Sequence, residues 1–177
     1  MEVVNDTPAS DAVRRAPANH RVLALPGILL GIGLGGFMDG IVLHQMLQWH
    51  HMLTSHGDYP ATTVAGLEVN TLWDGLFHTA TWLATVAGVW MLWRAGRRRT
   101  VTWSGRALLG MIAIGWGLFN LVEGIIDHHI LKIHHVRYDG SKALPWDVAF
   151  LVVGALLIAV GWWLWRTAND TARHVAA

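Results

Sequence analysis

The chain has 177 residues, 53% of them hydrophobic and only 14% charged, with eleven Trp, eleven His and a formal net charge of +1. A soluble domain carries roughly 25% charged residues, so the composition is that of a membrane protein, and the length suits one domain. The sequence contains no Cys, which excludes disulfides, iron–sulfur clusters and thiolate metal sites and leaves nitrogen, oxygen and thioether sulfur for any metal.

Residues 1–21 are polar, carry Pro8 and Pro17, and read as a flexible tail. Arg14-Arg15 precede an apolar run, but no small-residue cleavage site follows, so the run reads as a spanning helix rather than a removable signal. Four apolar stretches, at residues 22–47, 68–93, 105–130 and 146–166, each reach the roughly 20 residues that cross a bilayer as a helix. Residues 167–177 read as a second tail.

Each stretch carries residues that are costly in lipid. The first contains "GGFMDGIVLHQMLQWHHM", with Asp39, His44, Gln45, Gln48, His50 and His51. Gly27, Gly31 and Gly35 ahead of it form a small-xxx-small ladder for close helix packing. Asp39 and His44 are five residues apart, a spacing that a π-bulge brings into line. The second contains "NTLWDGLFH", where Asn70, Asp74 and His78 fall on one helical stripe. The third ends in "NLVEGIIDHHILKIHH"; Asn120, Glu123, Asp127 and His134 share one face if the helix continues that far, with His128 and His135 on a neighbouring strip. The fourth opens with "PWDVAF" and Asp147.

Ten of the thirteen Lys and Arg (Arg14, Arg15, Arg21, Arg94, Arg97, Arg98, Arg99, Arg106, Arg166 and Arg173) lie on one side of an up-down-up-down arrangement. The positive-inside rule then predicts an all-α four-helix bundle in a bacterial inner membrane with both termini cytoplasmic. Two groups of Trp, with Trp49, Trp73 and Trp146 at the outer end, fit aromatic belts. The polar residues lie late in the first and third helices and early in the second and fourth, so that topology gathers all four sets in the extracytoplasmic half.

Intramembrane ionisable residues face the bundle interior and need partners. Glu123 and Asp127, one helical turn apart, repel one another unless a cation or shared proton lies between them. The ensemble predicts a metal centre of two or three ions, with His44, His51, Asp74, His78, Glu123, Asp127, His128, His134 and His135 as ligands. Asp39, Gln48, His50, Asn70, Asn120 and Asp147 are expected to support those ligands by hydrogen bonds or to add to them. Imidazole mixed with carboxylate suits copper, iron or zinc.

The segments "LGGFMDGIVLHQMLQWHHM", "LWDGLFH", "GWGLFNLVEGIIDHHILKIHHVR" and "PWDVAFL" resemble the motifs of an uncharacterised family of bacterial predicted membrane proteins, over roughly residues 22–166. The resemblance implies the four-helix fold and no particular activity. Three functions compete. The first is a membrane metalloenzyme, an oxidoreductase rather than a hydrolase. The second is a periplasm-facing protein that binds or delivers copper or zinc, the link to respiratory oxidase assembly being what the resemblance implies. The third is a small haem-binding cytochrome with axial histidines. Expected partners are membrane lipid, metal ions and either a second copy or a membrane subunit; no nucleic-acid signature is present.

Overall fold

The computed structural model describes residues 20–98, 101, 103–137 and 142–176. Most of the expected N-terminal tail, with Arg14 and Arg15, and also Arg99 lie outside the described residues. Four long helices make the fold, and no strand occurs among the described residues. Helix α1 (His20–Met46) opens with a 3-10 turn over His20–Leu23, runs as α-helix over Ala24–Phe37 and widens to a π-helix over Met38–Met46. Helix α2 spans Val64–Gly96. Helix α3 (Gly105–Ile130) is α-helical to Glu123 and π-helical over Gly124–Ile130. Helix α4 spans Ala143–Ala176, so most of the stretch expected as a C-terminal tail continues the helix.

Thr63 and Ser104 cap α2 and α3, each accepting from a backbone N–H three residues on (Gly66 and Ala107). All four helices are long and apolar enough to cross a membrane. The most apolar windows of α1 and α3 are 44% and 39% buried, against 11% for both α2 and α4. Helices α1 and α3 are therefore the central pair, and α2 and α4 flank them, presenting most of their surface outward. At one end of the flanking helices Arg94 lies over Trp90 and Arg166 over Trp162, an arrangement suited to an interface where amphipathic rings meet basic side chains.

The two helix pairs are copies of one unit. "MDGIVLHQMLQWHH" (38–51) and "VEGIIDHHILKIHH" (122–135) align without a gap at a constant spacing of 84 residues (39 to 123, 44 to 128, 50 to 134). Trp73-Asp74 with Phe77 on α2 match Trp146-Asp147 with Phe150 on α4, here at a constant spacing of 73 residues. The packing repeats with the sequence. A Cβ at Gly31 would fall onto the Ile112 carbonyl, and one at Gly115 would fall onto the Ile28 carbonyl. Gly33 sits against Thr81 and Thr85 of α2, and Gly117 against Gly154 and Ile158 of α4. Such reciprocity is that of a pseudo-two-fold axis running between α1 and α3, the relation seen in parallel membrane repeats.

Backbone meets backbone at Gly31 and Gly115, so neither tolerates a side chain. Gly31→Leu and Gly115→Leu are each expected to destabilise the fold by about 3 kcal/mol or more, beyond the usual penalty for overpacking. Gly57→Leu, where a Cβ meets nothing within 4 Å, is expected to be neutral. Unfolding in mixed detergent checks the three; equal stability in all of them would contradict the close packing.

Candidate metal centre

The π-helical ends build the centre. In α1 the wide turn shows as Leu47 N bonded to the Val42 carbonyl at 2.8 Å, and in α3 as Leu131 N bonded to the Ile126 carbonyl at 2.7 Å. Five residues then make about one turn, which sets Asp39 beside His44 and Glu123 beside His128. Two non-glycine residues with positive φ follow at matching positions, Gln48 (49°) and Lys132 (53°). There each chain leaves its helix and doubles back, carrying His50 and His134 to the axis. Their rings stack at 4.7 Å between centroids and 5° between planes.

Six side chains meet at this point: Asp39, His44 and His50 from the first half, Glu123, His128 and His134 from the second. Each is at most 5% exposed. Asp39, His44 and His50 offer ligand atoms within 4.8 Å of one another, and so do His50, Glu123 and His134.

The hydrogen bonds around them commit one nitrogen each of His44, His50 and His134. His44 Nδ1 lies 3.0 Å from Asp74 Oδ1, His50 Nδ1 2.8 Å from the Val136 carbonyl, and His134 Nδ1 3.2 Å from the Met52 carbonyl. Carboxylates and carbonyls only accept, so Nδ1 donates in all three, and in His44 and His50 Nε2 carries the lone pair of a neutral ring. Those two Nε2 atoms face carboxylate oxygens, His44 to Asp39 at 3.0 Å and His50 to Asp39 at 3.8 Å, whereas His134 Nε2 donates to Glu123 Oε1 at 3.2 Å. Acceptor facing acceptor repels unless a cation or a proton lies between them.

Two observations weigh against protons as the whole answer. His44 Nε2, both Asp39 oxygens, His50 Nε2, Glu123 Oε2 and both nitrogens of His128 are buried without a hydrogen-bond partner among the described residues. Burial, and then the neighbouring His134 and His44, hold the His50 pKa well below its ordinary value, so that ring stays neutral. His134 goes the other way: burial lowers its pKa, but the hydrogen bond to Glu123 and its charge outweigh burial and raise it.

Asp74 and Asp147 orient these imidazoles. Asp74 Oδ1 accepts from His44 Nδ1 and from the Met52 backbone N–H, while Oδ2 accepts from His51 Nδ1 (2.6 Å) and Gln45 Nε2 (3.3 Å). All of its acceptor capacity is taken. Asp147 repeats the pattern, with the Val136 N–H and His135 Nδ1 bonded and His128 Nδ1 at 3.5 Å.

The other residues expected at the centre are placed differently. His78 Nδ1 bonds the Asp74 carbonyl at 2.7 Å, and a Cβ on Gly40 would meet its Nε2, so its ring backs onto α1 outside the two ligand groups. Asp127 is half-buried, and its side chain makes no hydrogen bond among the described residues. Asn70 clamps the connection between α1 and α2 through Leu53, Tyr59 and Gly66. Gln48 is exposed at the left-handed turn. His51 and His135 pair with the orienting aspartates at the outer edge, with side chains 13% and 24% exposed. Periodicity does not bring out His50 as an inner residue; the repeat does, since it pairs His50 with His134.

Four apolar helices around a buried cluster of imidazoles and carboxylates define the class, a membrane protein with a candidate metal centre. The sequence model of the family described as "Predicted membrane protein (DUF2243)" matches residues 26–168, and the chain belongs to that family. No curated protein and no solved structure matches it.

Proposed function

We propose that the chain is an integral membrane metalloprotein that holds a dinuclear transition-metal centre in the extracytoplasmic half of its bundle and acts as a metal-dependent oxidoreductase. The observation that carries this reading is that His44 Nε2 and His50 Nε2 face Asp39 without a hydrogen bond while their Nδ1 atoms are already committed. A buried, unsatisfied polar atom costs about 1–3 kcal/mol. Several such atoms converging on one point are stabilised together by a cation. The ligand groups for the two ions are Asp39, His44 and His50, and His50, Glu123 and His134, with His128 Nε2 3.5 Å from Glu123 as the counterpart of His44 in the repeat.

A centre of this donor type, filled with copper or iron, supplies oxygen-activating or electron-transfer chemistry; zinc would supply hydrolysis. The protein's part is to fix the His44 tautomer through Asp74 and the His50 tautomer through the Val136 carbonyl, to exclude water by burial, and to offer the second oxygens of Asp39 and Glu123 as proton acceptors. The positive-inside rule supports the outward orientation and the bacterial inner membrane.

Delivery of copper or zinc is the second reading, and the partly exposed His51 and His135 favour it as a route from the outer surface. Deep burial of the six inner side chains favours a resident ion over a passing one. The haem reading is poorly supported, because His78 is packed against Gly40 and His44 sits between two carboxylates.

Elemental analysis of the purified protein, with an absorption spectrum on the same sample, tests the proposal. About two equivalents of copper or iron are expected, as in carboxylate-bridged bundle centres; a metal-free protein that takes up none on reconstitution would overturn it.

A further inference from the structure

Beside the centre, a cleft of about 260 Å³ lies between α1, α3 and α4. Its walls are Met38, Trp116, Trp146 and Phe150, with Asp39 and Asn120 as its polar members. Met38 and Val153 at its edge are 47% and 49% exposed on the apolar outer surface, so the cleft is open toward lipid. The volume is near the lower end for small-molecule sites, about 300–1,000 Å³.

Asn120 is the feature that the fold leaves unexplained. It is 3% exposed, and its Oδ1 is buried without a hydrogen-bond partner. In the first half its counterpart is Gly36, which faces Thr81, and the Thr81 hydroxyl is satisfied by the His78 carbonyl at 2.9 Å. The second half carries Asn120 against Gly154, whose missing side chain makes room for it. Packing alone is therefore solved without an amide, and the second half departs from the repeat to bury an amide oxygen, without a hydrogen-bond partner among the described residues, just behind the cleft wall.

We infer that this cleft is a binding site for a small lipophilic phenol that enters from the bilayer. The hydroxyl donates to Asn120 Oδ1, and the ring lies among Trp116, Trp146 and Phe150 in the edge and offset contacts that aromatic groups favour. Asp39 lines the same cleft, so the hydroxyl end sits beside a carboxylate of the centre, in the position of a substrate. The substrate role rests on the metal-centre reading; the binding does not.

The test is photolabelling in phosphatidylcholine nanodiscs with a diazirine-bearing 4-alkylphenol, competed by unlabelled 4-propylphenol, with metal content measured on the same samples. Labelling of Met38, Trp116 or Val153 that competitor suppresses is expected. Asn120→Ala should weaken the competition about three- to tenfold, the effect of one neutral hydrogen bond. Val153→Trp fills the mouth from an exposed position and should abolish competed labelling with metal content unchanged. Uniform, uncompeted labelling of the lipid face would overturn the inference, as would an Asn120→Ala protein that competes like wild type. Competed labelling of a protein that binds no metal would overturn the metal reading and leave the phenol site standing.

Discussion

His50→Ala is expected to empty the centre, where His56→Ala leaves its metal content at the wild-type level. His50 is the residue shared by both groups of potential ligands. Its Nδ1 is held by the Val136 carbonyl, its Nε2 is buried without a partner, and its ring is kept neutral by burial and by the imidazoles beside it. It is thus a ligand prepared on one side and open on the other. His56, whose side chain is 46% exposed, faces the exposed Asp58 and stacks on Tyr59, away from both ligand groups. The substitution also removes the bond to Val136 and the stack on His134, so metal loss alone would not separate a missing ligand from a distorted fold. Added imidazole makes the separation. A ligand gap refills and metal content recovers, whereas a collapsed site does not respond. Unchanged metal content in His50→Ala would remove His50 from the centre and with it the shared position between the two halves.

The helices were legible because their apolar runs are long and their caps conventional, but α4 continues to Ala176 through "TANDTARHVA", polar residues without a helix breaker. The π-helix in α1 was legible too. Asp39 and His44 can share a face in an apolar helix only if five residues make a turn, and the structure widens there. The same spacing at Glu123 and His128 was hidden by Asp127, which stands one ordinary turn from Glu123 and offered a simpler pairing. Helical phase fails altogether beyond Gln48 and Lys132, where the left-handed residues reverse the chain. Extrapolated through Gln48, His50 points away from the centre; in the fold it lies on the axis. Asp74 and His78 looked like a ligand pair because they are four apart. A wheel drawn on α2 cannot show the returning chain that brings the Met52 N–H and His51 to Asp74 and uses up its oxygens. The repeat was readable without any geometry, as "DGIVLHQMLQWHH" set against "EGIIDHHILKIHH".

The two orienting aspartates make the second large prediction, and it is a ranking. Asp74→Ala is expected to lower metal affinity by about 10–100-fold, the usual effect of losing the group that holds a metal-binding imidazole. It releases His44 Nδ1, His51 Nδ1 and the Met52 N–H together, so the His44 ring loses both its tautomer and its angle. Asp74→Asn should fall between wild type and Ala. The amide oxygen can still accept from Met52 and His44, while the amide nitrogen meets the Nδ1–H of His51 and forces that ring alone to its other tautomer. Asp147 should give the same order through Val136, His128 and His135, with a smaller Ala effect, since His128 Nδ1 stands 3.5 Å from its carboxylate where His44 stands 3.0 Å from Asp74. Metal titration of the four variants in detergent reads the order directly. If Asn and Ala were equally damaging at both positions, the negative charge rather than the tautomer would be the contribution of these residues. If neither substitution changed affinity, His44 and His128 would not be metal ligands, and the six-residue centre would shrink to Asp39, His50, Glu123 and His134.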